Sequence, residues 1–229
     1  MQTEALLDRF RTALDPLDPV AVWAHGSLGG GDCHEGRSDL DLIAVLDGPL
    51  PLRTVWRLAK IHARLRAEPL AAELQCSYLT PDTLADTGRR HLTWAHQQLF
   101  KRPVTPVTRR ELHAFGRVLH GRAPAGLLPP ETDRELADFV LADQRDYWRR
   151  KIDDAGLWLE DSWVDLGMVT FARAGVTVRE GRLISKREAL DLLPRLGAPA
   201  EVVDDIRVRR YDGAAPPADG RAARRAGPG

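Results

Sequence analysis

The sequence predicts an α+β protein: a mixed-sheet N-terminal domain followed by an all-helical C-terminal bundle. Three observations carry this prediction. Short apolar runs punctuated by glycine and proline fall in the N-terminal half, where they read as strands. Beyond about residue 106 the texture changes to helical periodicity. With 229 residues, 43% hydrophobic and 29% charged, the chain can build packed cores in one large or two small domains. The change of texture predicts a mixed N-terminal domain over 1–105, a helical domain over 106–212 and a disordered, low-complexity tail over 213–229.

Along the chain, residues 3–14 place Ala5, Leu6, Phe10 and Leu14 on one helical face. Asp15-Pro16 and Asp18-Pro19 end that helix, and Val20-Ala21-Val22-Trp23-Ala24 follows as a short buried strand. A glycine-rich loop, residues 25–31, leads on to a second strand at Asp39-Leu40-Asp41-Leu42-Ile43-Ala44-Val45-Leu46. That strand begins by alternating acid with apolar residues and ends wholly apolar, so its start faces a site and its end enters a core. Residues 53–66 form a helix, residues 73–79 a third strand, and Thr80-Pro81-Asp82 a helix cap. Helices are expected at roughly 108–120, 131–151, 158–178, 186–194 and 199–210.

Composition excludes several classes. Lysine plus arginine and aspartate plus glutamate both number 33, so the formal net charge is zero. A dedicated nucleic-acid binder carries a basic excess, so a nucleic-acid partner is not expected. The two cysteines, Cys33 and Cys76, cannot build a disulfide framework, and nothing in their spacing suggests zinc. The N-terminal segment is an amphipathic helix carrying acids rather than a secretory signal, and no stretch reaches transmembrane length. A soluble cytoplasmic protein is expected, working as a monomer and away from membranes.

The chemistry is concentrated at Gly26-Ser27 and Asp39-Leu40-Asp41. On a strand, positions i and i+2 point to the same face, so the two carboxylates lie together and repel each other until a cation joins them. Hard oxygen donors of this kind suit Mg²⁺, which binds through a few carboxylates plus substrate phosphates. Gly26 allows close backbone approach to a phosphate, and Ser27 can donate its amide and its hydroxyl. No Gly-Lys-Ser/Thr follows, so this is not the nucleotide-binding loop of that type.

The segment from Trp23-Ala24-His25-Gly26-Ser27 to Arg37-Ser38-Asp39-Leu40-Asp41-Leu42 resembles the signature of the polymerase-beta-type nucleotidyltransferase superfamily. The resemblance implies that Asp39 and Asp41 bind catalytic metal, that Gly26, Ser27 and Ser38 bind a nucleoside triphosphate, and that Glu73 supplies a third metal-binding or catalytic carboxylate. Glu68 is the rival for that last role, but Pro69 places it in a turn. In the helical half, the stretch from Phe171-Ala172-Arg173-Ala174 to Lys186-Arg187-Glu188-Ala189 is similar to aminoglycoside adenylyltransferases of the streptomycin/spectinomycin type. That similarity implies ATP as substrate, Arg173 and Lys186 on the triphosphate, and Tyr211 near the nucleotide. It further implies Trp94, Glu160, Asp161 and Asp165 on the acceptor. The match is poorest after Gly156.

The expected reaction is Mg²⁺-dependent transfer of AMP from ATP to a hydroxyl of a small-molecule, aminoglycoside-like acceptor. Modification of a protein or RNA, of the toxin–antitoxin type, and a catalytically silent nucleotide-binding relative are the alternatives. His25 is expected to pack beside the first strand rather than act as a base. The other histidines lack metal-ligand spacing, and Tyr147, Trp148 and Trp158 are expected in the core of the helical domain.

Overall fold

The computed structural model describes residues 2–212, which divide into two compact units. The segment 213–229, expected to be disordered, lies outside the described residues.

In the first unit, α1 (Gln2–Leu14) precedes β1 (Pro19–Ala24), and a one-turn helix, α2 (Gly26–Gly29), follows. Next come β2 (Leu40–Leu46), α3 (Leu52–Leu65) and β3 (Leu74–Leu79). β4 (Arg90–Ala95), β5 (Gln98–Pro103), α4 (Pro106–Phe115) and β6 (Arg117–Gly121) complete it. Among the described residues the strands form one sheet in the order β5-β4-β3-β2-β1-β6. β2 and β3 run parallel while every other neighbouring pair is antiparallel, so the sheet is mixed as expected.

The apolar character of β2 has a direct cause. Leu40, Leu42, Ala44 and Leu46 face a core shared with Leu6, Phe10 and Leu14 of α1 and Leu58 and Leu65 of α3. Ile43 and Val45 face a second core with Ala21 and Trp23 of β1 and Leu112 of α4. A sheet covered on both faces calls for strands that are apolar at successive positions.

Two parts of the first unit depart from expectation. Residues 117–121 form β6 rather than the end of a helix; Ala21 pairs with Gly121 and Ala24 with Arg117. Strand pairing with β1 binds this stretch to the sheet, so the first unit continues to Pro130 and the second begins at Glu131, not near residue 106. The β4–β5 hairpin was also not anticipated. Its turn is His96-Gln97, both at positive φ (52° and 61°). Such turns are usually announced by Asn-Gly or Asp-Gly, and neither is present.

The second unit is helical among its described residues. It contains α5 (Asp133–Asp143), α6 (Arg149–Ile152), α7 (Asp161–Glu180), α8 (Lys186–Leu192) and α9 (Ala200–Arg207), with π-helical turns at Gln144–Trp148 and Val208–Asp212. Val169, Ala172 and Val176 of α7 pack with Ala189, Leu190, Leu193, Val203 and Ile206 in its core. Two capping boxes set helix starts. Thr132 and Glu135 exchange side-chain and backbone hydrogen bonds before α5, and Ser185 and Glu188 do so before α8. Trp148 is buried, as expected for the core of this half. No described helix is long and apolar enough to cross a membrane.

Candidate functional site

The site in the first unit is assembled where β1 ends and β2 begins. Gly26 sits at φ +59°, a conformation that side chains with a Cβ rarely adopt. A Cβ there would also come within 2.8 Å of the Asp41 Oδ2 atom. Glycine is therefore required twice over, by backbone and by space. The loop is tied to β2 by the His25 amide, which donates to the Asp41 carbonyl at 3.0 Å.

Asp39 immediately precedes β2 and is exposed; Asp41 lies within it and is half-buried. Their spacing puts both on the face opposite Leu40 and Leu42, as the sequence predicts. Ser27 follows Gly26 in α2, and its carbonyl accepts from the Asp32 amide at 3.0 Å. The Ser38 hydroxyl accepts from the His34 amide at 3.0 Å, closing the turn that leads into β2.

Glu73 is buried, 4% exposed, in a 3-10 turn just before β3. Parallel register pairs Leu40 with Leu74, so Asp39 and Glu73 are the residues preceding two paired positions on adjacent strands. Its rival Glu68 is engaged elsewhere, in an ion pair with Arg9. No group of three or more His, Cys, Asp or Glu side chains suited to hold a metal occurs among the described residues. The expected set of Asp39, Asp41 and Glu73 is therefore not brought together as a three-carboxylate metal group; Glu73 lies in a buried turn before β3.

A carboxylate absent from the sequence-based expectations lies against the loop. Glu111 of α4 is 7% exposed. Its Oε2 accepts from the Gly26 amide at 3.2 Å and lies 3.0 Å from the His25 Nδ1. His25 does pack beside the strand end, yet with a buried acidic partner. No local sequence signal announces it, since its burial and its partners come from contacts distant in the chain. Glu111 thus occupies the Gly26 amide, while the Ser27 amide and hydroxyl come next in the loop.

Trp94, expected on the acceptor, is a core residue of the first unit at 5% exposure. His62 stacks on it with ring centroids 4.4 Å apart, and the Arg66 guanidinium lies 5.4 Å over its ring. Its place in β4, itself unforeseen, turned it inward. Burial pushes the His62 imidazole down to about 3, with the Arg66 charge adding to the effect. The His62 Nε2 meets the Tyr78 hydroxyl at 2.5 Å.

The remaining expected residues belong to the second unit. The Arg173 Nε donates to the Ile184 carbonyl at 2.9 Å, which orients its guanidinium from α7. Lys186 is the first residue of α8, directly after the Ser185 cap. Tyr211 is half-buried beneath Arg187, whose guanidinium carbon lies 4.1 Å from the ring centroid. Asp165 forms a two-pronged ion pair with Arg209, the shortest contact being 2.7 Å, and Asp161 lies 3.4 Å from the same guanidinium. Glu160 is exposed at the start of α7 and makes no side-chain cap.

No family model matches the chain, and no curated protein matches its sequence. Among solved structures, the chain is similar to spectinomycin adenyltransferase AAD(9) from Enterococcus faecialis, crystallised with ATP and spectinomycin. The TM-score is 0.68 at 15% identity, and the match covers 93% of this chain and 90% of that one. The chain shares that enzyme's fold. The mixed sheet followed by helices is thus an arrangement known in an adenyltransferase, and the expected α+β class holds.

Proposed function

We propose that this protein is a nucleotidyltransferase that moves AMP from ATP to a hydroxyl of a small-molecule, aminoglycoside-like acceptor. The observation that carries the reading is the packing of Gly26 against the Asp41 carboxylate, with Asp39 two residues away on the same strand face. The shared fold with spectinomycin adenyltransferase supports it.

The donor set suits Mg²⁺. Asp39 and Asp41 offer hard carboxylate oxygens two residues apart where β2 begins. Mg²⁺ takes one or two carboxylates and completes its shell with phosphates and water. When bound by Asp39 and Asp41, the ion would neutralise phosphate charge and raise the electrophilicity of the α-phosphorus.

The protein's own groups do the rest. Ser27 donates to phosphate oxygens from a loop that Gly26 lets approach closely, and Ser38 holds the turn into β2. Glu73 accepts the proton of the acceptor hydroxyl as its oxygen bonds to the α-phosphorus and the bond to pyrophosphate breaks. Arg173 and Lys186 neutralise charge on the departing pyrophosphate, and Tyr211 contacts the nucleoside. Glu160 and Asp161, exposed at the start of α7, meet a cationic acceptor. Asp165 is assigned to bracing Arg209, and Trp94 to the core.

The test is to incubate purified protein with ATP, Mg²⁺ and a panel of aminoglycosides and spectinomycin, following pyrophosphate release. The expected result is release that depends on one acceptor class, with product gaining the mass of one AMP. No release with any member, alongside tight ATP binding, would overturn the small-molecule acceptor.

A further inference from the structure

We infer that Glu111 is a positioning residue for the nucleotide loop, acting with His25 as a clamp that holds Gly26-Ser27 against Asp41. The inference rests on the nucleotide-binding role proposed for that loop and adds two residues to it.

Glu111 lies 86 residues from His25 in the chain, yet its Oε2 serves two groups of one short segment. The Nδ1–H of His25 and the N–H of Gly26 both point at it, at 3.0 and 3.2 Å. Both side chains are buried, His25 at 7% exposure and Glu111 at 7%. A carboxylate so placed keeps a cost of desolvation unless its donors are held, so the two donors and the acid fix one another. The backbone they fix is the unusual one: Gly26 at positive φ, with no room for a side chain beside Asp41.

A second contact from the same helix acts on the other end of the loop. A Cβ on Gly29 would meet the Phe115 carbonyl at 2.9 Å and the Ala24 carbonyl at 3.0 Å. The glycines of the loop therefore let α4 approach it closely. Glu111 grips its start, and the end of α4 supports its finish. The hydrogen bond from His25 to Glu111 also sets the imidazole tautomer, with the proton on Nδ1. Because the Gly26 amide is already taken, the clamp aims the Ser27 amide and hydroxyl rather than donating to phosphate itself.

Three variants of the full chain test this: Glu111→Ala, Glu111→Gln and His25→Ala. Amide hydrogen exchange reads the loop directly, and titration with ATP and Mg²⁺ reads its use. Faster exchange in residues 25–31 of Glu111→Ala, with β3 and β5 unchanged, is expected. ATP affinity should fall about 10-fold, the scale of a lost charge-assisted hydrogen bond. Glu111→Gln keeps an acceptor of the same shape and should recover most of that loss, which a merely structural role would not separate from the melting temperature. His25→Ala and Glu111→Ala combined should be no worse than the weaker single variant. Unchanged exchange at 25–31 in Glu111→Ala overturns the clamp. Faster exchange with unaltered ATP affinity overturns its role in nucleotide binding. A wild-type protein that binds no ATP with Mg²⁺ overturns the functional reading, and the exchange result then still judges the clamp by itself.

Discussion

Each unit of the molecule presents a pair of carboxylates on one face of a regular element, and the two pairs are held in opposite ways. In the second unit Asp161 and Asp165 stand one helical turn apart on α7, and the Arg209 guanidinium lies against both. Asp165, paired closely with that guanidinium, braces α7 against the chain's last described turn, while the Asp161 carboxylate stays largely exposed. In the first unit Asp39 and Asp41 stand two residues apart at the start of β2, with the Asp41 carboxylate lying against a bare glycine. Here backbone at Gly26 packs against the Asp41 carboxylate. Asp165, met by an internal arginine, braces its helix; the strand pair is the one for which we propose a cation and phosphates from outside. Glu111 adds to the contrast: the first unit buries an acid against the loop, where its Oε2 accepts from the Gly26 amide.

The largest effect should come from breaking the strand pair. Asp39→Asn or Asp41→Asn removes one hard donor while preserving shape. Transfer should drop by about 10²–10³-fold or more, the range seen when a group stabilising developing charge is lost. Thermal stability should stay near wild type. Turnover within a few-fold of wild type under Mg²⁺ would dissolve the distinction between the two pairs.

A smaller effect is expected from the cation that the second unit is proposed to contribute. Lys186→Ala should weaken ATP binding by about 1.5–3 kcal/mol, the worth of a hydrogen bond to a charged group. Calorimetric titration of ATP would measure it. An unaltered affinity would leave the second unit with the acceptor alone.

The units should also differ in their response to acid. All seven histidines lie in the first unit, the last at His120. Burial holds His62 neutral, with its folded value pushed from 6.5 to about 3. Above about pH 6.5 the imidazole is neutral whether the chain is folded or not. Below it the unfolded chain gains a proton that the folded one refuses, so stability falls from pH 6.5 towards pH 3. The slope approaches about 1.4 kcal/mol per pH unit for one such group. His91, lowered from 6.5 to about 4 chiefly by burial, acts in the same direction. Denaturant unfolding across that range should show the first unit losing stability. His62→Gln should flatten much of the slope while lowering stability at neutral pH. A wild-type slope in the variant would remove His62 from the account.

The smallest effect concerns the helix pair. Asp165→Asn should lower stability by about 1 kcal/mol, as befits a partly exposed, well-oriented ion pair. The KM for the acceptor should hardly move. A large rise in that KM with stability intact would return Asp165 to the acceptor site and make the two carboxylate pairs alike in function.

What the sequence by itself determined is local. Strand alternation placed Asp39 and Asp41 on one face, and the apolar run behind them announced a strand covered on both sides. The glycine before Ser27 marked a close backbone approach, and helical periodicity marked the elements of the second half. Each of these is decided by residues within a few positions of one another, where backbone geometry imposes a short period. The tertiary structure alone decided the rest. The His96-Gln97 hairpin lacks the usual turn residues, and β6 became a strand only because β1 offered it an edge. Trp94 turned into the core because β4 pairs with β3. Arg209 reached Asp165 across 44 residues, and Glu111 reached His25 across 86. Such contacts depend on which surfaces the folded chain brings together, and no periodicity in the intervening sequence encodes that meeting.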